Sequence, residues 1–170
     1  MKFLYAPWRT VYAKQVDTGK LDNTTALDCD FCRQLQAQED ARYFILARYK
    51  YTFACLNHYP YNAGHLMIIP FEHKSQLSDF SQAAHNEIMQ IMSASTHILQ
   101  TVLQCHGINI GINLGKAAGA GIPSHLHVHV LPRWNGDTNF VPLLANTKII
   151  SVNLNEIYHK LKPAFDQLTL

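Results

Sequence analysis

The sequence predicts an antiparallel α+β domain, and two features of its apolar pattern support that fold class. Several short apolar segments are separated by loops that contain glycine, proline and asparagine, which is typical of strands in a sheet. One much longer segment, from about Ser78 to Gln104, repeats its apolar residues at the spacing of an amphipathic helix. Strands joined by loops, with a single long helix inserted among them, indicate the α+β class.

The first third of the chain is predicted to contain an irregular arm, a short helix and a pair of strands. Residues 1–28 form the arm, because they carry proline, glycine and a polar stretch but no apolar period. Residues 30–39 are capable of forming a helix. Residues 43–49 and 51–57 are expected to be two strands joined by a turn near Lys50.

A third strand and the long helix are expected next. Residues 65–70 form a short, strongly apolar strand that ends at a proline. Either Ser78 or Ser81 can cap the helix, because a serine side chain accepts a hydrogen bond from the exposed N–H groups of a first turn. The helix is expected to stop at Gly107. Its apolar stripe consists of Ile88, Ile91, Met92, Ile98, Leu99 and Val102.

Two more strands and a terminal helix complete the predicted fold. The strands cover residues 108–114 and 126–131. The helix covers residues 155–168, where Pro163 should bend or divide it, because proline removes one hydrogen bond from a helix.

Length and composition favour a single globular domain without general affinity for nucleic acid or membranes. The 170 residues are expected to form one domain over residues 1–170, with residues 135–170 as a C-terminal extension. The formal net charge is only +2, from 14 Lys and Arg against 12 Asp and Glu, so neither nucleic acid nor a membrane is an expected partner. Apolar runs are far shorter than the roughly 18 residues of a membrane span. Because the N-terminus shows no apolar stretch like a signal peptide, a cytoplasmic location is expected.

The most informative segment of the chain is a row of three histidines, His125, His127 and His129. They alternate with Leu126, Val128 and Val130. In a strand this alternation would place the three imidazoles on one face and the apolar side chains in a core behind them. A row of groups with a pKa near 6.5 can supply a nucleophile, proton donors and a metal ligand together.

A loop with three glycines precedes the histidine row. Gly115, Gly119 and Gly121 are followed by Pro123, a pattern that continues neither a helix nor a regular strand. Such a loop can turn consecutive N–H groups inward and form an anion-binding nest. It can also be an ordinary hairpin connection. Its position directly before the histidine row favours a phosphate held beside a nucleophilic imidazole.

These segments resemble the histidine triad superfamily. The run His-Leu-His-Val-His-Val after a glycine loop looks like the signature of that family. Asn57-x-x-Pro60-x-x-x-Gly64-His65 resembles its nucleoside-binding loop. Residues 6–9 and 132–140 resemble the bacterial branch that is related to diadenosine tetraphosphate phosphorylases and hydrolases.

The resemblance implies a fold and a set of roles. It implies a five-stranded antiparallel sheet with one long helix and terminal helices, which pairs in a homodimer to form a continuous sheet. His127 would be the nucleophile, Asn113 and His129 would contact the reacting phosphate, Asn57 would contact the ribose, and His65 would support the triad. Asn113 stands where some relatives carry glutamine. Together with the loop, the expected nucleotide-binding residues are Asn57, His65, Gly119, Gly121 and Ser124.

The expected chemistry is nucleotidyl transfer through a covalent intermediate on His127. A neutral imidazole nitrogen attacks phosphorus, which divides one difficult displacement into two easier steps. Water as the second nucleophile would make the protein a hydrolase, and inorganic phosphate would make it a phosphorylase; the triad fits both. The expected substrate is a purine nucleotide, with a dinucleoside polyphosphate preferred. The alternatives are a nucleoside phosphoramidate hydrolase, a nucleotide-binding regulatory module with vestigial catalysis, and a zinc-stabilised interaction protein.

Cys29 and Cys32 supply two soft ligands at a spacing that suits zinc. In zinc-bearing relatives, a histidine after the third strand and the first triad histidine complete a tetrahedral site, which here implies His73 and His125 as the other ligands of a structural Zn²⁺. Free thiols are the alternative, and a redox pair fits less well because no βαβ pattern surrounds the cysteines. The other cysteines, Cys55 and Cys105, are expected to be buried thiols.

Four more residues near the triad have two possible roles each. Lys116 and Arg133 can contact phosphate or be solvated surface charges. Ser124 can donate to a leaving-group oxygen or complete a turn, and Trp134 can stack on a base or fill a dimer interface.

Overall fold

The computed structural model describes residues 25–139, 144 and 153–170. They form a five-stranded antiparallel sheet of order β1-β2-β3-β5-β4 with three α-helices, which confirms the predicted α+β class. The predicted arm at residues 1–28 and the extension at residues 135–170 lie partly outside the described residues. The elements are α1 (Asp30–Ala37), β1 (Ile45–Arg48), β2 (Thr52–Leu56), β3 (Leu66–Pro70), α2 (Gln82–Leu103), β4 (Gly107–Ile112), β5 (Val128–Arg133) and α3 (Leu154–Asp166).

The first strand is shorter than the sequence predicts because a turn precedes it. Phe44 has a φ of 54°, in the left-handed region, and the N–H of Ile45 donates to the carbonyl oxygen of Asp40 at 2.8 Å. The chain therefore becomes extended only at Ile45. By contrast, every residue of β2 and β3 is buried, as expected for strands with a neighbour on both sides and a cover on both faces.

The long helix α2 starts and stops at residues with identifiable backbone reasons. Ser81 is the cap, because its Oγ accepts a hydrogen bond from the N–H of Ala84 at 3.2 Å. The predicted end near Gln104 is confirmed, but Gly107 is not the residue that stops the helix. The helix ends at Leu103, where Gln104 takes a left-handed conformation with φ 52°, and Gly107 is instead the first residue of β4.

A buried carboxylate fixes α2 to the first hairpin. Glu87 accepts hydrogen bonds from the Tyr51 N–H at 2.8 Å, the Thr52 hydroxyl at 2.9 Å and the Lys50 N–H at 3.1 Å. These donors satisfy a side chain that is only 8% exposed. The turn between β1 and β2 is therefore held directly by the helix.

The terminal helix α3 runs through Pro163 without being divided. Asn153 caps it, since its side-chain oxygen accepts from the N–H of Asn155 at 2.8 Å. Leu161 and Phe165 are fully buried beside α2 and β1. None of the described helices is both long enough and apolar enough to span a bilayer.

The two faces of the sheet carry separate apolar clusters. Leu56, Leu66 and Val130 pack under α2 and α3. The opposite face is covered by α1 and part of the glycine loop, and its buried residues are Cys29, Phe31, Cys32, Ile45, Phe53, Cys55, Met67, Ile69 and Ile122.

The strand that follows the glycine loop begins later than predicted. β5 starts at Val128, so His125 and His127 precede it. The reason is that the N–H of Leu126 donates to the carbonyl oxygen of Lys74 at 2.7 Å, beyond the end of β3. The alternation still holds: Leu126 and Val128 enter the cluster under α2, while His129 pairs with Met67 on the α1 face.

Candidate active site

A cavity of about 300 Å³ lies on the α1 face of the sheet. Its polar lining residues are Asp30, Gln34, Asn57, His58, His127 and His129. The rest of the lining is Phe31, Tyr43, Tyr59, Tyr61, Met67, Gly119, Gly121 and Ile122.

His127 lies against this cavity in a fixed tautomer. Its Nδ1 is 2.8 Å from the main-chain carbonyl oxygen of His125, and because that oxygen can only accept, Nδ1 carries the hydrogen. The side chain is 5% exposed, and burial lowers the pKa of His127. The ring of Phe31 is 5.2 Å away and contributes to that burial. His127 is therefore neutral at physiological pH, with the lone pair on Nε2.

His129 is held by a chain of hydrogen bonds that starts at the main chain. The Tyr61 N–H donates to His65 Nδ1 at 3.1 Å, so the hydrogen of a neutral His65 lies on Nε2. That Nε2 is 2.9 Å from His129 Nδ1 and donates to it. The hydrogen of a neutral His129 consequently lies on its own Nε2. The His127 and His129 rings are 4.9 Å apart between centroids.

Asn57 joins the same network at the edge of the cavity. Its Oδ1 accepts from the N–H of Tyr59 at 2.8 Å, and its Nδ2 is 3.4 Å from His65 Nδ1. Asn57 and His65 therefore stand where the nucleoside-binding loop was predicted, with Asn57 on the cavity wall and His65 behind His129.

The glycine loop uses several of its own N–H groups in internal hydrogen bonds, which a simple anion-binding nest would leave free. Gly115 and Gly119 have φ of 82° and 88°, which explains glycine at both positions. A short 3₁₀ turn over Lys116–Ala118 lies between them, and the N–H groups of Ala118, Gly119 and Ala120 donate to carbonyl oxygens within the loop. An anion would have to be bound by N–H groups after Ala120, beside Gly121 and Ile122 on the cavity wall.

Two predicted phosphate contacts stand back from the cavity. Asn113 Nδ2 is 3.4 Å from the carbonyl oxygen of Gly119 and donates to it, so this side chain braces the loop. Asn113 and Ser124 are not among the described residues that line the cavity. Their predicted roles would require the substrate to extend beyond this cavity.

Of the two roles considered for Arg133, the structure does not favour phosphate contact. Its guanidinium donates to both carboxylate oxygens of Asp137, at 2.6 and 2.8 Å, and to Asn109 Oδ1 at 2.8 Å. Arg133 in turn holds the pKa of Asp137 far below its usual range. Lys116 is exposed on the glycine loop, and Trp134 packs against the cluster under α2.

The four predicted metal ligands meet beside the cavity. Cys29, Cys32, His73 and His125 place their ligand atoms within 4.8 Å of one another. His125 Nδ1 is 3.3 Å from Cys29 Sγ and 3.6 Å from Cys32 Sγ, and His73 Nδ1 is 3.5 Å from Cys32 Sγ. No disulfide joins the four cysteines, and Cys55 and Cys105 are buried thiols as predicted.

The geometry of this cluster fits a tetrahedral metal ion. With zinc–sulfur and zinc–nitrogen bonds of normal length, ligand atoms should be about 3.5 Å apart. The three thiol–imidazole separations given above, 3.3 to 3.6 Å, match this distance. His125 Nε2 is 2.9 Å from the carbonyl oxygen of Pro70 and donates to it, which leaves the Nδ1 lone pair directed at the thiols. Burial lowers the pKa of His125 to about 4, so this ring is neutral as a ligand must be. The cluster is therefore able to hold a metal ion.

The chain's similarity to known proteins agrees with this geometry. The HIT domain family matches residues 38–136.

The chain belongs to the HIT domain family.

Relatives and solved structures extend this finding. AP-4-A phosphorylase of Mycobacterium tuberculosis is 35% identical over 147 residues, which cover 86% of this chain and 75% of that protein. Bis(5'-adenosyl)-triphosphatase of Saccharomyces cerevisiae is 30% identical over 86 residues, 50% of this chain and 41% of that protein. The crystal structure of a Zn-bound histidine triad family protein from Mycobacterium smegmatis has 26% identity and a TM-score of 0.68, covering 84% of this chain and 96% of that chain. Family membership and these names confirm the prediction of a HIT-type enzyme, a nucleotide hydrolase or transferase.

The sequence analysis missed the wall of the cavity that α1 forms. Asp30, Phe31 and Gln34 line it, and the Phe31 ring contacts both His125 and His127. The available signal was helical spacing: if Cys29 and Cys32 hold a metal on one side of a helix, the residues between and after them face another side. For Tyr43 and Tyr61, which also line the cavity, no sequence pattern indicated that position.

Proposed function

We propose that the protein cleaves a dinucleoside polyphosphate by forming a nucleotidyl intermediate on Nε2 of His127. The observation that carries this proposal is the hydrogen bond from His127 Nδ1–H to the carbonyl oxygen of His125. It leaves the nitrogen at the cavity unprotonated, and burial keeps the ring neutral. A neutral nitrogen in a fixed orientation is what in-line attack on phosphorus requires.

His129 is suited to act on the phosphoryl group during this attack. Its ring lies beside that of His127, and its Nε2–H is set by the chain from Tyr61 through His65. Charge grows on the phosphoryl oxygens as the new bond forms, and a prepositioned donor stabilises it. Asn57, on the same wall, is suited to a ribose hydroxyl.

The size of the cavity indicates how a dinucleotide binds. A volume of about 300 Å³ is at the lower end of small-molecule sites, which suits one nucleoside monophosphate. The second nucleotide would leave as a nucleoside polyphosphate. It would lie outside the cavity, toward the exposed side of the glycine loop. Asn113, Lys116 and Ser124 are the predicted contacts on that path.

The metal cluster has a structural place in this proposal. Cys29, Cys32, His73 and His125 would hold one Zn²⁺, as soft thiolates and imidazoles do. When bound, the ion would neutralise the thiolates and cross-link α1 to the segments that flank β3 and β5. The zinc named in the related Mycobacterium smegmatis structure supports this assignment.

Turnover with and without inorganic phosphate tests the proposal. Attack of His127 on the α-phosphorus of diadenosine tetraphosphate would release ATP and leave an adenylyl group on the histidine. Water would then release AMP, whereas phosphate would release ADP. The AP-4-A phosphorylase relative favours ADP in the presence of phosphate. Isolation of an adenylyl-protein after rapid acid quench would support the intermediate. Turnover of adenosine phosphoramidate but of no dinucleotide would contradict the proposed substrate.

A homodimer is part of the proposal. β4 is an edge of the sheet, and Ile110 in its centre is 47% exposed, while Leu114 just beyond it is 42% exposed. Exposed edges are usually paired or covered, and a second copy of β4 would extend the sheet. Light scattering at tens of micromolar protein should give twice the chain mass, and Ile110→Lys should lower it. A cytoplasmic location stays a prediction.

A further inference from the structure

The wall of the cavity carries groups suited to phosphate and groups suited to a base. His127 and His129 are suited to phosphate. The rings of Tyr43, His58 and Tyr59 are suited to a base, and α1 contributes to the same wall. The ring of His58 packs on Phe44 at 5.1 Å, and burial lowers the pKa of His58 while the nearby Asp30 carboxylate opposes that shift. A nucleotide with its phosphate at His127 therefore has aromatic rings in the same cavity on which its base can stack.

On α1, Gln34 offers a side-chain amide to the cavity. Gln34 is half-buried on α1 and lines the cavity. Within the described part of the chain, the protein provides no hydrogen-bond partner for its amide. The amide holds a donor and an acceptor side by side, and a bound base can supply the matching pair.

We infer that Gln34 reads the base of the bound nucleotide and makes the enzyme prefer adenine to guanine. This inference rests on the proposed function, which places a nucleotide in the cavity. Adenine presents the N7 acceptor beside the N6 amino donor, and an amide pairs with both at once. Guanine presents two acceptors, N7 and O6, on the same edge, so an amide can pair with only one of them.

The acidic residue of the cavity wall, which could favour guanine, is already paired. A carboxylate that accepted the N1–H and N2–H groups of guanine would reverse the preference. Asp30 is the carboxylate on this wall, but it forms an ion pair with Arg33 on the same helix. With Asp30 engaged, Gln34 is the remaining polar group of α1 at the cavity.

The test compares substitutions at Gln34 with the same substitutions at Gln36. Gln36 is exposed on the same helix and is not a lining residue. Gln34→Met keeps the length of the side chain and removes both hydrogen bonds, whereas Gln34→Glu replaces the donor with a second acceptor. Gln36→Met and Gln36→Glu are the matched controls for helix propensity and charge. Thermal melts and zinc content establish that each variant keeps the fold and the metal cluster.

The measurements are the dissociation constants of AMP and GMP by calorimetry, and kcat/KM for diadenosine and diguanosine tetraphosphate. Wild type should favour adenine by about tenfold, since a bidentate pair discriminates by at least about that factor. Gln34→Met should weaken AMP binding about tenfold and leave GMP binding nearly unchanged. Gln34→Glu should weaken AMP binding and strengthen GMP binding. The Gln36 variants should match wild type.

The possible failures are distinguishable. Equal AMP affinity in wild type and a folded Gln34→Met protein would overturn the inference and leave the proposed function standing. AMP binding that depends on Gln34, without turnover of any dinucleotide, would support the inference and count against the proposed function. If Gln34→Met loses zinc, Gln34→Asn keeps the amide but shortens its reach; unchanged AMP affinity in that variant would equally overturn the inference.

Discussion

His125 and His129 are each two residues from His127, yet they lie in different surroundings. On the metal side, His125 is fully buried, its Nδ1 faces two thiols and its Nε2–H donates to Pro70. On the pocket side, His129 lies on the cavity wall and its Nδ1 accepts from His65. Alternation along the chain therefore gives three histidines with a shared direction, while the neighbours of each ring divide the roles among them.

The two outer histidines share one tautomer, and His127 between them has the other. His125 and His129 both carry their hydrogen on Nε2, and His127 between them carries it on Nδ1. The main chain decides all three, because each hydrogen-bond chain ends on a carbonyl oxygen or an N–H group. His125 and His127 bond directly to carbonyl oxygens, which do not titrate, whereas His129 depends on the imidazole of His65 between it and the main chain.

Replacing His127, the middle histidine of the three, should have the largest effect on activity. His127→Ala should lower kcat/KM for diadenosine tetraphosphate by at least about 10⁴-fold, because the remaining groups act only with the nucleophile. AMP affinity, zinc content and the thermal melt should stay close to wild type. His97→Ala, on the exposed face of α2, is the control. Turnover of the His127 variant within tenfold of wild type would exclude the covalent mechanism.

Replacing the two outer histidines in turn should separate the two sides. His125→Ala should lose the metal and about 4 kcal/mol of unfolding free energy, because metal-binding free energy at such a site is also folding free energy. His129→Ala should keep the metal and most of the stability but lose activity. Elemental analysis and denaturant titration are the measurements. Equal metal content in the two variants would mean that the division of roles is wrong.

A glycine substitution should affect the pocket side alone. Gly119→Val forces a β-branched side chain to a φ of 88° on the cavity wall and should lower kcat/KM about 100-fold. Gly136→Val carries the same strain at a φ of 80° but lies away from the cavity. Both should cost roughly 1–3 kcal/mol of stability. Similar kcat/KM values for the two variants would show that the loop does not contact substrate.

The smallest predicted effect is a shift in pH dependence. His127 must be neutral to attack, and burial lowers its pKa, so kcat/KM should hold as pH falls through 6.5 and decline only below it. Phe31→Ala would admit water beside the ring, and the acid limb should then move to higher pH. An acid limb at or above pH 6.5 in wild type would mean that His127 is not the titrating group.

Much of this arrangement was accessible from the sequence because it follows local patterns. The alternation in residues 125–130 places His129 and Val130 on opposite faces, and the spacing of Cys29 and Cys32 indicates two metal ligands. His73 and His125 were implied as the other two ligands only by the resemblance to zinc-bearing relatives.

The errors arose where distant contacts override local pattern. The N–H of Leu126 donates to the carbonyl oxygen of Lys74, so β5 begins later than predicted. The approach of Phe31 to His127 joins residues far apart in sequence, and no local period encodes it.

The short length of α1 has a consequence for how the molecule assembles. Eight residues, without a side-chain hydrogen bond at the Cys29 cap, are too few to remain helical on their own. The part of the cavity wall that α1 forms should therefore be the last part of the fold to form and the first to open. On removal of metal, amide hydrogens of α1 should exchange quickly while those of α2 and the central strands stay protected. The supply of metal would then govern how many molecules in a cell have a complete cavity, even when all of them are folded.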